Sequence, residues 1–199
     1  MVEFDVRLSA DGQPVVFHDE TLERTTAGRG AVKAHTLSEL RALGVASLDE
    51  VLALCGELGL RLNIEVKPDR GDESLTARRT LERTQAVWRG PPPLVSSFSR
   101  RALAAAAAAA PEWRRGLLVA RLPADWRRAA ERLGCVALHA DHRRLDAACV
   151  AEIRDTGLEV LAYTVNDAER AKRLWDWGVA AVFSDDPGGL LRKTCQKSS

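Results

Sequence analysis

Three groups of charged residues stand at the ends of segments that read as β-strands: Glu3 with Asp5, then His18, then Glu65 with Lys67. Residues two apart on a strand share a face. Glu3 and Asp5 therefore oppose the apolar Val2, Phe4 and Val6, while Asn63, Glu65 and Lys67 oppose Leu62, Ile64 and Val66. Three carboxylates brought together repel one another unless a cation stands between them. Glu3, Asp5 and Glu65 have no His or Cys at metal-ligand spacing beside them, and such an oxygen-only set suits a hard divalent ion, Mg²⁺ or Ca²⁺, better than zinc. Lys67 places a positive charge beside any anionic group that the ion holds. Together the two cations would stabilise charge developing on a phosphoryl oxygen. His18 stands at the tip of a hairpin that begins just after Asp5, and an imidazole there is a candidate general acid or base. Each feature alone also has an ordinary reading: a half-exposed antiparallel strand with a wet face for either acidic strand, and a surface-loop histidine for His18.

What positions these residues is an alternation of short apolar runs with helical patterns, which indicates parallel βα units with both sheet faces covered. Strands are expected at Val2–Leu8, Pro14–Phe17, Arg61–Val66, Leu94–Phe98, Arg115–Val119, Cys135–His139, Glu159–Val165 and Ala180–Ser184. Helices are expected at Leu48–Leu58, Ser74–Trp88, Ser99–Ala110, Asp125–Leu133, Asp146–Thr156 and Asp167–Trp177. Asp or Ser stands at several of the helix starts, and Gly134, Gly157 and Gly178 stand where helix ends favour a left-handed residue. The alanine run Ala104–Ala110 reads as a helix face that Pro111 stops. No linker separates the elements, so residues 1–199 are expected to form a single domain.

One connection departs from the alternation. Only Ser9, Ala10, Asp11, Gly12 and Gln13 join Leu8 to Pro14, whereas a parallel crossover needs about a dozen residues. An Asp-Gly loop instead closes an antiparallel hairpin. With that strand set aside, seven remain that could be parallel, one short of the eight that close a TIM (β/α)₈ barrel. The expected fold class is therefore α/β, a TIM barrel without its first βα unit and with a hairpin inserted after the Glu-x-Asp strand. On this reading the missing stave precedes residue 1, although a shorter protein would look the same.

Composition narrows the partners. The 199 residues are 46% hydrophobic and carry a formal net charge of +1, which argues against nucleic acid or an acidic membrane and in favour of a small ligand. Cys55, Cys135, Cys149 and Cys195 show no metal-site spacing and read as reduced thiols, which points to the cytoplasm. No apolar stretch approaches a membrane span, and no stable membrane association is expected. Arginine pairs near Trp113 and Trp126 read as a solvated outer ring rather than a nucleic-acid surface. His139 and His142 flank Asp141 at an expected strand end, where contact with substrate, loop capping and simple exposure all remain open. Phe98 and Tyr163, also at strand ends, are candidates for an apolar substrate wall or for the core.

The order of these residues resembles a known family. Glu3-Phe4-Asp5-Val6, followed by Asp11 through Asp19, resembles a motif of the glycerophosphodiester phosphodiesterases, as does the following stretch Leu22-Glu23-Arg24-Thr25-Thr26 with Gly28 and Gly30. Ile64-Glu65-Val66-Lys67, Ser97-Phe98, Tyr163 through Asp167, and Ser184 through Pro187 resemble its later strand ends. The resemblance implies a metal-dependent hydrolysis of glycerophosphodiesters to glycerol 3-phosphate and an alcohol through a cyclic phosphate. In these roles Glu3, Asp5 and Glu65 hold the divalent cation, His18 is one of two acid–base histidines, and Lys67 contacts phosphate. The family's His-Arg-Gly strand and Pro-Glu-Asn-Thr helix start do not occur in this sequence. That departure keeps a second expectation alive, a barrel that binds metal or a phosphorylated ligand without turnover. A lysophospholipid substrate is a third.

Overall fold

The connection from Leu8 to Pro14 turns on Gly12, whose φ of 72° only glycine adopts without strain. It brings β2 (Pro14–Val16) back antiparallel to β1 (Val2–Leu8), with Val6 opposite Val16 and Leu8 opposite Pro14. The expected hairpin is therefore present. Residues 1–195 are described by the structure, a computed structural model, and fall into two compact units, Met1–Arg115 and Gly116 onward.

In the first unit the strand order is β2-β1-β3-β4, with β3 at Leu62–Val66 and β4 at Leu94–Ser97. β1, β3 and β4 are parallel, in a register that sets Glu3 beside Asn63 and Asp5 beside Glu65. Helices α1 (Leu37–Ala42), α2 (Leu48–Glu57), α3 (Glu73–Val87) and α4 (Arg100–Ala109) belong to this unit. The outer faces of β1 and β3 supply Phe4, Val6, Leu62 and Ile64 to a core closed by Leu48, Leu52 and Cys55 of α2. Small side chains Ala102, Ala106 and Ala110 pack with Ala77 and Leu81 of α3, which is what the alanine run is for. Ile64 is fully buried, so Ile64→Ala leaves a cavity where β3 meets α2. We expect it to cost about 2–5 kcal/mol, read as a lowered denaturant midpoint with the slope unchanged.

In the second unit the order is β5-β6-β7-β8, all parallel, with β5 at Arg115–Val119, β6 at Ala137–Asp141, β7 at Glu159–Tyr163 and β8 at Ala181–Val182. Helices α5 (Trp126–Arg132), α6 (Ala147–Arg154), α7 (Ala168–Asp176) and α8 (Pro187–Cys195) alternate with them. These are the parallel βα units expected of a TIM-barrel protein. Ser47, Ser99, Asp146 and Asp167 cap their helices through side-chain oxygens, whereas Asp72 and Asp125 make no such bond. Cys55 and Cys135 are buried and Cys149 partly so, while the side chain of Cys195 lies outside the described residues. No helix among the described residues is long and apolar enough to cross a membrane.

One expectation needs correction, and the structure bears on three further readings. β6 runs two residues later than the sequence suggests, so His139 sits in mid-strand rather than at a rim. Its side chain is wholly buried, and neither ring nitrogen has a hydrogen-bond partner among the described residues. Burial without a partner disfavours the imidazolium and pushes its pKa down to about 3, so contact with substrate and simple exposure are both excluded. His142, for its part, accepts from Arg170 Nε at Nδ1 over 3.3 Å, as part of a loop anchor. Trp113 and Trp126 are buried, each within its own unit, and do not form an aromatic surface. Phe98 is 48% exposed and cannot serve the core.

Candidate active site

The parallel register of β1 and β3 does what alternation along each strand cannot do alone. Because Asp5 pairs with Glu65 and Glu3 with Asn63, the polar faces of the two strands merge into one surface. One carboxylate oxygen from each of Glu3, Asp5 and Glu65 lies within 4.8 Å of the others. Glu3 and Asp5 reach this point from within β1 rather than from its end, and only Glu65 and Lys67 stand at the close of their strand. The Lys67 amide donates to the Val6 carbonyl at 3.0 Å, which carries the pairing one residue past β3 and fixes where its ammonium emerges. Lys67 Nζ donates to Asp5 Oδ1 at 3.2 Å and lies 3.9 Å from Glu65 Oε1.

One cation does not balance three anions at this depth. Burial, followed by the Asp5 charge, pushes Glu3 up to about 7 despite the opposing pull of Lys67. Burial, then Asp5, raises Glu65 as well, to about 8. Glu65 Oε1 is buried and finds no hydrogen-bond donor among the described residues. A buried carboxylate oxygen without a hydrogen-bond donor is costly, and its presence beside two further carboxylates fits a site shaped for a hard cation. Beneath the cluster, Asn63 Nδ2 donates to Ser96 Oγ at 3.0 Å, which makes a polar floor on the same face.

His18 is delivered by the hairpin. The antiparallel return brings the Phe17 amide onto the Asp5 carbonyl at 3.0 Å, so the next residue emerges beside the carboxylate strand. Arg7, on the same face of β1 as Glu3 and Asp5, is 3% exposed; its Nε donates to the His18 carbonyl at 3.1 Å and its Nη1 lies 3.4 Å from Asp69 Oδ1. The ring of His18 remains 61% exposed.

Of the residues singled out from sequence, the first unit thus brings together Glu3, Asp5, Glu65 and Lys67 and sets His18 beside their strand. Phe98 lies just past β4 in the same unit. Tyr163 belongs to the second unit, where its hydroxyl donates to the Val119 carbonyl at 2.9 Å. Sequence reasoning assigned no role to Arg7, Asp19 or Arg24. Arg7 had a readable signal, its parity with Glu3 and Asp5 on one strand.

A sequence profile of the glycerophosphoryl diester phosphodiesterase family matches residues 1–189. A glycerophosphodiester phosphodiesterase of Caldanaerobacter subterraneus subsp. tengcongensis is 30% identical over 210 aligned residues, covering 96% of this chain and 84% of its own length. One from Bacillus subtilis is 32% identical, covering 94% of this chain and 73% of its own. Among solved structures, an Oleispira antarctica phosphodiesterase in complex with its product sn-glycerol-3-phosphate superposes with a TM-score of 0.91 at 36% identity, covering 96% of this chain and 83% of that one. The acidic cluster of β1 and β3 thus lies in a chain whose sequence and fold both match known phosphodiesterases over nearly its whole length. The chain belongs to the glycerophosphoryl diester phosphodiesterase family.

Proposed function

We propose that this protein hydrolyses glycerophosphodiesters to glycerol 3-phosphate and an alcohol with the help of a divalent cation held by Glu3, Asp5 and Glu65. The observation that carries the reading is the trio of half-buried and buried carboxylates, with a Glu65 oxygen that has no hydrogen-bond donor among the described residues, beside a lysine and a histidine. The product named for the Oleispira antarctica relative supports the substrate class. When bound, Mg²⁺ or Ca²⁺ would supply Lewis-acid polarisation of the phosphodiester and make a coordinated hydroxyl more acidic.

The chain's own groups do the rest. Lys67 adds a second positive charge where the phosphoryl oxygens gain negative charge, and its ammonium is held in place by Asp5. His18 accepts the proton of the glycerol hydroxyl that attacks phosphorus, the bond to the departing alcohol breaks, and a proton is returned to that alcohol. Water then opens the cyclic phosphate by the reverse sense of proton transfer. The polar face of β1 and β3 orients the diester, and Phe98, just past β4, stands as a candidate contact for its apolar portion.

His18→Ala tests the proton-transfer role. We expect turnover of glycerophosphocholine or glycerophosphoethanolamine to fall about 10²–10⁴-fold while cation binding measured by calorimetry is retained. Unchanged turnover would remove His18 from the mechanism. Cation binding with no hydrolysis of any diester by the unmodified protein would favour a binding protein instead.

A further inference from the structure

The His18 ring is gripped by two side chains that the reading above does not use. Its Nδ1 lies 2.6 Å from Asp19 Oδ1. The same carboxylate accepts from Arg24 twice, at Oδ2 from Nε over 2.5 Å and at Oδ1 from Nη2 over 3.1 Å. Such a two-pronged arginine contact fixes the carboxylate plane as well as its position. Arg24 in turn rises from a loop tied to itself. The Leu22 side chain is fully buried, the Leu22 amide donates to the Gly30 carbonyl at 3.0 Å, Thr26 Oγ1 donates to the Leu22 carbonyl at 2.8 Å, and the Gly28 amide donates to Thr26 Oγ1 at 3.0 Å.

We propose that Asp19 and Arg24 are positioning residues that hold His18 in the tautomer protonated at Nδ1 and so leave Nε2 as the atom that exchanges protons with substrate. The inference rests on the role proposed for His18. Its logic is one of donors and acceptors. Arg24 can only donate and an ionised Asp19 can only accept, so the one partner left for the carboxylate on the imidazole side is an N–H. Arg24, then His18, hold the Asp19 carboxyl well below the usual carboxylate range, which keeps it an acceptor throughout the working pH range. Arg7 donates to the main-chain carbonyl of His18 rather than to its ring, and Asp69 touches Arg7.

Substitution distinguishes this role from simple loop bracing. In Asp19→Asn the amide oxygen must turn to Arg24, which has nothing but donors, and the amide N–H then faces the imidazole. His18 Nδ1 must become the acceptor, and the proton moves to Nε2. Nitrogen NMR of histidine-labelled full-length protein reads the tautomer directly without substrate, and His18→Gln identifies the resonance among the four histidines. We expect the Nδ1–H form in the unmodified protein and the Nε2–H form in Asp19→Asn, while Asp19→Glu should restore much of the native tautomer. Turnover of glycerophosphocholine should fall about 10²–10⁴-fold in Asp19→Asn with KM within a few-fold of native. The same His18 tautomer in Asp19→Asn as in the unmodified protein would overturn the positioning role and leave the proposed function standing. A changed tautomer with undiminished turnover would overturn the inference by showing that His18 does not carry the reaction's proton.

Discussion

Glu65→Gln is expected to stabilise the cation-free protein while abolishing its chemistry. Glu65 is buried beside Asp5 and Glu3, and its charge opposes folding wherever it is ionised without a cation. The neutral amide has the same shape and none of that repulsion, so the melting temperature of the variant in chelator at pH 8 should exceed that of the unmodified protein. The same change removes one of three ligands for the cation and should lower turnover at least about a hundredfold. Thermal melts in chelator and a phosphodiester assay check the two halves together. A variant that loses both stability and activity would show that Glu65 serves the fold, and that the cluster is not a cation site.

The second large effect is one of pH. Folded-state values of about 7 for Glu3 and about 8 for Glu65 stand above the ordinary 4.5 of an unfolded glutamate. Between these limits the folded protein holds more protons than the unfolded one, so stability falls as pH rises through that window. A divalent cation binds the ionised carboxylates and reverses the loss, releasing protons as it does so. Melting temperatures with chelator and with saturating Mg²⁺ or Ca²⁺ should therefore nearly coincide at pH 5 and separate progressively up to pH 8. The comparison cancels contributions from distant groups such as Asp19 and Asp141, whose pKa values are lowered instead. A gap that is equally wide at pH 5 and pH 8 would contradict the assignment of these carboxylates as ligands.

The parts of this architecture that were legible in sequence are those governed by short-range periodicity. Two-residue alternation places Glu3 with Asp5 and Glu65 with Lys67, and an Asp-Gly loop too short for a crossover announces the hairpin that carries His18. Gly134, Gly157 and Gly178 take the positive φ expected of them at helix ends. The helix α1 was missed because it is only six residues long, yet Thr36 and Glu39 form a capping box that the sequence does display. The later start of β6 was hidden because Cys135 and Val136 extend its apolar run backward while His139 and Asp141 interrupt it. Burial of His139 depends on Gly116 of the neighbouring strand, where a Cβ would run into the imidazole, and no pattern along one strand reports such space.

The site divides along the same line. Which residues share a face follows from each strand alone, but their mutual distances follow from register, and register is set by packing across strands. The pairing of Asp5 with Glu65 is what turns two acidic strands into one cluster. The Arg24 grip on Asp19 was invisible for a related reason. It depends on the closed shape of the loop between them rather than on any repeat in its residues.

The most direct measurement is release of glycerol 3-phosphate from glycerophosphocholine and glycerophosphoethanolamine by the full-length protein, with Mg²⁺ or Ca²⁺ and again with excess chelator. The account predicts release that requires the cation, returns when the cation is restored, and is lost in Glu65→Gln. Release that persists in chelator, or calorimetric cation binding with no release from any diester, would contradict it.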